Sequence, residues 1–167
     1  MAQTDKANSQ AILNRYTDLV SKSAQKPIQQ FQSYSQALAL ATDVKLQNRL
    51  IGLLGGTHAY QALLVVEAYM DNQPTAEAAA SAVRTIVSKN IETLGGEQIR
   101  AMLNKAITCF EAVGDADAGY AIDDIKAMLE KLPEVETSPK YELSAEEAKE
   151  GFEVLFDGED MSKWIGN

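Results

Sequence analysis

Between Ala59 and Met70 the chain reads Ala-Tyr-Gln-Ala-Leu-Leu-Val-Val-Glu-Ala-Tyr-Met, apolar on nearly every side of a helix. A helix of that kind needs neighbours all round, because no face of it suits water. It therefore calls for a stack or bundle of further helices and reads as the core element. Thr57 stands where its cap belongs, and Asp71-Asn-Gln-Pro74 supplies the turn that closes it.

The flanking segments supply those neighbours. Ile12, Leu13, Tyr16, Leu19 and Val20 form one apolar stripe in a first helix from about Ser9 to Ala24. Pro27 suits the first turn of a second helix, with Ile28, Phe31, Tyr34, Leu38 and Ala41 inward. Thr42-Asp43 can cap a third, carrying Leu46, Leu50, Leu53 and Leu54 and ended by Gly55-Gly56. After the apolar fourth helix, Pro74 opens a fifth with Ala76, Ala79, Ala80, Val83, Ile86, Val87 and Ile91 in its stripe. The small residues Ala78 to Ala80 permit close helix approach. Gly95-Gly96 ends the fifth, and Glu97 opens a sixth where a negative charge suits the helix dipole. Ile99, Met102, Leu103, Ala106, Ile107 and Phe110 face inward there. Gly114 stops it, Asp115 caps a seventh with Ile122, Ile125, Met128, Leu129 and Leu132, and Pro133 ends that one.

The triplets Leu50/Leu53/Leu54, Val83/Ile86/Val87 and Ile125/Met128/Leu129 share one spacing on alternate helices. Two helices per unit and a period of roughly 40 residues is the pattern of HEAT-like repeats. The expected fold is all-α, a HEAT-like helix-pair stack (an α-solenoid) of about seven helices; an irregular helical bundle is the alternative.

Composition agrees with helices: 46% hydrophobic residues but only 7% aromatic. The formal charge of -9 argues against a general nucleic-acid or anionic-membrane binder. Cys109 is the single cysteine, so neither an internal disulfide nor a thiolate metal cluster can form. No apolar run reaches membrane-spanning length, and no basic start with an apolar core marks a signal peptide. Met1-Ala-Gln-Thr-Asp-Lys-Ala-Asn8 reads instead like a polar mature start with Met added where a leader was removed. This suggests export to the periplasm or outer surface of a bacterium, with cytoplasm left open.

Residues 1–8 lack an apolar anchor and are expected to be a disordered tail. Residues 9–132 make the helical domain, and the Pro- and Glu-rich residues 133–143 a linker. Ser144-Ala-Glu-Glu147 then forms a capping box for a short helix closed by Gly151. Phe152, Val154 and Phe156 alternate with Glu153 and Leu155, a strand signal, before the turn at Asp157-Gly158. One strand and a turn cannot bury their own apolar face.

Phe152-x-x-Leu155-Phe156-Asp157-Gly158, followed by Met161-x-x-Trp164 and Gly166, resembles the start of the 3-keto-disaccharide hydrolase family. The resemblance covers about a tenth of the chain. It implies that residues 144–167 are the truncated start of a concanavalin-like β-sandwich that cleaves sugar linkages, with Trp164 packing its first turn. The family's catalytic residues would lie further on, so none is assigned to Asp157, Glu159 or Asp160. Glu153-Val-Leu-Phe156 also resembles a protease tag-cleavage site, but Asp157 stands where that site needs Gln.

Other chemistry is sparse. His58 is the only histidine, so any His-based catalysis would have to be built around it; a structural or surface role fits its place at a helix start. Cys109 has no sequence partner and reads as a partly buried, inert thiol. Asp115-Ala-Asp117-Ala-Gly119 fails as a calcium loop, with Lys126 at the twelfth position and the glycine one residue early. Gly52-Leu-Leu-Gly-Gly56 lacks the Lys-Ser/Thr of a phosphate loop. Glu146, Glu147, Glu150 and Glu153 could be read as glycosidase carboxylates, but a short exposed helix cannot enclose a sugar.

No catalytic, cofactor-binding or metal-binding residue is therefore assigned, and no cofactor is expected. The chain reads as a non-catalytic helical module preceding a glycoside hydrolase domain. Its expected partner is protein, either that catalytic domain or another polypeptide, with carbohydrate met only through the missing domain and neither nucleic acid nor membrane insertion. The competing reading is a free-standing helical adaptor.

Overall fold

The computed structural model describes residues 2–133 and 143–152, residues 2–7 by their backbone alone. All regular elements among the described residues are helical. They are α1 (Ala2–Ser21), α2 (Pro27–Leu40), α3 (Val44–Gly56), α4 (Ala62–Glu67) with a 3-10 turn (Ala68–Asp71), α5 (Gln73–Lys89), α6 (Glu97–Val113), α7 (Ala116–Lys131) and α8 (Ala145–Lys149). The chain divides into two compact units, Met1–Glu134 and Val135–Asn167. The strand signal after Phe152, the turn at Asp157-Gly158 and Trp164 lie outside the described residues, as does most of the expected linker.

In the first unit each long helix packs on the next long one. α1 lies on α2, α2 on α3, α3 on α5, α5 on α6 and α6 on α7, while α4 and the 3-10 turn cover α5. Local signals set many of the boundaries. Asp43 Oδ1 accepts from the Leu46 amide at 2.9 Å, and Asp115 Oδ1 accepts from the Ala118 amide at 2.8 Å, each meeting a donor that the first helical turn leaves unpaired. Pro27 opens α2 and Pro74 sits in the first turn of α5. Gly114 stops α6 in the left-handed conformation that glycine adopts at least cost.

The core element is α5, not the apolar fourth segment. Ala79, Ala80, Ala82, Val83, Ile86 and Val87 are all buried, between α3 on one side and α6 on the other. The expected fourth helix is broken at both ends. Thr57 does not cap it; its hydroxyl donates to the Leu54 carbonyl at 2.7 Å, finishing α3. His58 then turns left-handed, and α4 begins only at Ala62. At the far end, the Thr75 hydroxyl lies on the Tyr69 and Asn72 carbonyls at 2.9 and 3.0 Å, beside the tightened 3-10 turn. Ala62, Leu63, Val66 and Met70 go inward, but Leu64 is 70% exposed.

Three other expectations change. Gly55-Gly56 does not end α3 by a left-handed glycine, since both lie within the helix. Gly55 is there because α5 comes too close for a side chain: a Cβ on it would stand 3.0 Å from Ala82 Cα and 3.1 Å from Ala82 Cβ. α5 ends at Lys89 rather than at Gly95-Gly96. Asn90 turns its amide back onto the Ile86 carbonyl at 2.7 Å, ending the helix there, and Ile91 packs on the core from the loop that follows. Finally, α1 begins at Ala2 and takes in residues 2–8, the segment read as a disordered tail; Ala, Gln and Lys in it are good helix formers.

The apolar stripe expected to face inward on α1 is only partly buried. Val20 is buried and Leu13 packs on the core, but Ile12, Tyr16 and Leu19 face solvent. The helix is turned so that Thr17 goes in, fully buried. Its hydroxyl bonds the Leu13 carbonyl one turn back at 2.8 Å, so a polar residue enters the core with its hydrogen bond made. Ile28 of α2, also expected inward, is exposed as well.

Candidate functional site

His58 lies at the junction of α3 and α4, exposed and with φ of 54°. Its backbone does the work at that corner. The amide donates to the Gly55 carbonyl at 3.1 Å, and the carbonyl accepts the Asn90 amide at 3.0 Å. Asn90 thereby clasps the end of α5 to the end of α3. The residue that sequence reasoning weighed as a catalytic base is a corner residue in a conformation that non-glycine residues seldom hold.

Cys109 is half-buried on α6, beside the 3-10 turn, and its Sγ donates to the Met70 carbonyl at 3.7 Å. A shallow depression of about 370 Å³ opens over it, lined also by Asp71, Gln73, Glu77 and Thr108. Burial pushes the Cys109 thiol up; Lys105 opposes this and Asp71 adds to it. A raised thiol is the reverse of what a nucleophile needs at neutral pH. Lys105 is itself engaged, Nζ to Asp71 Oδ2 at 2.8 Å. The depression is thus an apolar floor with a thiol in its protonated form and acidic groups at the rim. It has the volume for a small ligand but not the convergent polar groups that fix one.

The acidic motifs resolve into helix-end chemistry. Asp115 is held as the cap of α7, and Gly52-Leu-Leu-Gly-Gly56 is the last turn and a half of α3. Ser144 and Glu147 form the reciprocal capping box: the Ser144 hydroxyl accepts from the Glu147 amide at 3.2 Å, and Glu147 Oε2 accepts from the Ser144 amide at 2.9 Å. Glu146 on that five-residue helix and Glu150 just after it are exposed, and Glu153 lies outside the described residues. Among the described residues no three of His, Cys, Asp and Glu come together as a metal set. Nor is any helix among them long and apolar enough to cross a membrane.

Sequence reasoning passed over the groups that join the helices. Arg100 on α6 donates from Nη1 to the Leu129 carbonyl at 3.0 Å and from Nη2 to the Leu132 carbonyl at 3.2 Å, closing the C-terminal end of α7 with a cation. Arg49 of α3 pairs with Asp18 of α1, holding the Asp18 carboxyl below its usual range chiefly by that hydrogen bond. Gln10 Oε1 accepts the Thr42 and Asp43 amides at 3.0 and 3.2 Å. These contacts are long-range in sequence and carry no local signature. The one signal available for α1 was the width of its apolar arc, about 120° at 100° per residue, wider than one neighbouring face covers.

Among the described residues of the first unit, the depression over Cys109 is open, and α1 presents an apolar edge to solvent. No family model, no curated protein and no solved structure matches the chain.

Proposed function

We propose that the first unit is a non-catalytic, HEAT-like interaction module, and that in the parent protein it precedes a glycoside hydrolase domain of the 3-keto-disaccharide type. The packing order carries the first half of this reading. α2 with α3, α4 and its 3-10 turn with α5, and α6 with α7 form successive pairs, and α3, α5 and α7 adjoin in turn. Those three helices are the ones bearing the repeated apolar triplets. In such a stack, each pair buries its apolar face on the next and leaves an extended outer surface for partners. The second half rests on the resemblance of Phe152-x-x-Leu155-Phe156-Asp157-Gly158 with Trp164. On this reading the chain itself needs no cofactor, and an exported location follows the hydrolase.

The exposed apolar strip of α1 also favours the competing reading, a free-standing adaptor. Intact mass of the native gene product separates the two. A mass above 18.1 kDa by about 20 kDa or more, with release of sugar from a 3-keto disaccharide by that product, is the expected result. A native product of 18.1 kDa that leaves the disaccharide intact leaves the adaptor.

A further inference from the structure

α1 carries more apolar surface than its neighbours in the first unit cover. Ile12 is 69% exposed, Tyr16 39% and Leu19 63%. They stand at i, i+4 and i+7, within a strip about 60° wide on the helix. That is the anchor spacing by which one amphipathic helix lies along another. Apolar side chains grouped in this way mark an interaction surface more often than chance scatter does.

Charge indicates what kind of helix fits. Arg15 and, just past the end of α1, Lys22 are exposed; at 100° per residue both fall beside the strip on the side away from the core. From Asn8 to Lys26 the chain carries Arg15, Lys22 and Lys26 against Asp18 alone, and Asp18 is held by Arg49. In a chain of net charge -9 this is a locally positive edge. Three joints among the described residues pair a carboxylate with a cation. Asp18 meets Arg49 between α1 and α3, Asp71 meets Lys105 between the 3-10 turn and α6, and Asp124 meets Arg84 between α7 and α5. A helix added at the free side of α1 would make a joint of the same kind by bringing carboxylates to Arg15 and Lys22.

A second copy fits less well, because an antiparallel pair of α1 strips sets like flanks together and Arg15 and Lys22 would face the same two cations. An anionic bilayer is disfavoured by the net charge of the whole chain. We propose that Ile12, Tyr16 and Leu19, edged by Arg15 and Lys22, form the docking surface for an acidic amphipathic helix of another protein. The inference rests on the reading of the helical unit as an interaction module and is independent of the hydrolase.

The test uses the full chain and two labelled helical peptides of about 18 residues, long enough to hold helical structure. Both carry Leu at i, i+4 and i+7, one with Glu and one with Lys at the flanking positions. Fluorescence anisotropy at low salt should show the Glu peptide bound at least about tenfold more tightly than the Lys peptide. Ile12→Glu with Leu19→Glu should abolish binding, and Arg15→Glu with Lys22→Glu should reverse the preference. All four positions are exposed, so circular dichroism and Tm should confirm that the variants fold. Four results overturn the proposal. They are equal binding of both peptides or none, binding indifferent to these substitutions, sedimentation with phosphatidylserine vesicles in place of peptide binding, and a concentration-dependent dimer lost on Leu19→Glu. Any of these leaves the mass and sugar-release test of the hydrolase reading untouched.

Discussion

α1 and α5 are built on the same apolar spacing and end in opposite situations. α5 has α3, α6 and the α4 segment around it, and Val83, Ile86 and Val87 are wholly buried. α1 has neighbours on one side, and three of its five stripe residues stand in solvent. The joints differ as well. α3 and α5 meet so closely that Gly55 faces the backbone of Ala82, whereas α1 is tied by Gln10 to the α2–α3 connection and by Asp18 to Arg49 of α3. Period fixes which side of a helix is apolar; the number of neighbours decides whether that side is covered.

The contrast breaks most sharply on truncation of one side chain at each site. Ile86→Ala should cost about 2–5 kcal/mol, as a lost apolar contact plus an unfilled cavity. Leu19→Ala should stay within about 0.5 kcal/mol. Urea midpoints at constant m-value read the difference. Similar losses at both positions would mean that α1 is covered in the free protein and that the comparison is wrong.

Glycines of α3 give a second measure of packing. A Cβ at Gly52 meets nothing within 4 Å, so Gly52→Ala should gain about 0.5–1 kcal/mol from helix propensity alone. Gly55→Ala makes the same propensity change against Ala82 and should lose about 1–3 kcal/mol by overpacking. Opposite signs of the two thermal shifts support a rigid α3–α5 joint. A gain at both positions would show that α5 can yield.

Much of this fold was legible because its signals are local. Asp43, Asp115 and the Ser144–Glu147 box each act within three residues, and Pro27 and Pro74 fix their own backbone. The core triplets on α3, α5 and α7 likewise followed from spacing. What was not legible depended on distant groups. Nothing near Ala59 says that Thr57 belongs to α3, that Thr75 bonds carbonyls beside the 3-10 turn, or that Asn90 reaches the His58 carbonyl across 32 residues. Apolar content therefore overstated the fourth helix and understated α5, whose alanines look weak in sequence and are what allow α3 so near. The candidate surface on α1 was hidden for the same reason: its stripe was visible, but the rotation that buries Thr17 and exposes Leu19 was not.

His58 sharpens the account of the corner between α3 and α4. Holding a non-glycine residue left-handed costs about 1–2 kcal/mol, and glycine recovers part of this while losing some stability to its freer unfolded chain. His58→Gly should thus raise stability by about 1 kcal/mol or less, with the Asn90 clasp intact because it uses the backbone carbonyl. Asn90→Ala should remove the clasp and erase that gain. A loss of stability in His58→Gly would mean that the imidazole, and not only the backbone, holds the corner.

The smallest expected effect is at the polar joint of α1. The folded carboxyl of Asp18 titrates below its ordinary range, first because Arg49 donates to it and further through the charges of Arg49, Lys22 and Arg15, with burial opposing. A carboxyl depressed in the folded state adds stability that is present above its unfolded pKa and lost as pH falls through the folded one. α1 should therefore loosen from α3 only in acid, below the ordinary Asp range near 3.8, while α5 keeps its protection there. Hydrogen exchange in steps from pH 6 downward, corrected for intrinsic rates, should show the amides of α1 opening before those of α5. Asp18→Asn should bring that opening to neutral pH and flatten its pH dependence. Arg49→Lys, which keeps the charge but not the guanidinium geometry, should fall between the two. If α1 and α5 open together at every pH in all three proteins, the joint is no weaker than the core and α1 is not a separable edge.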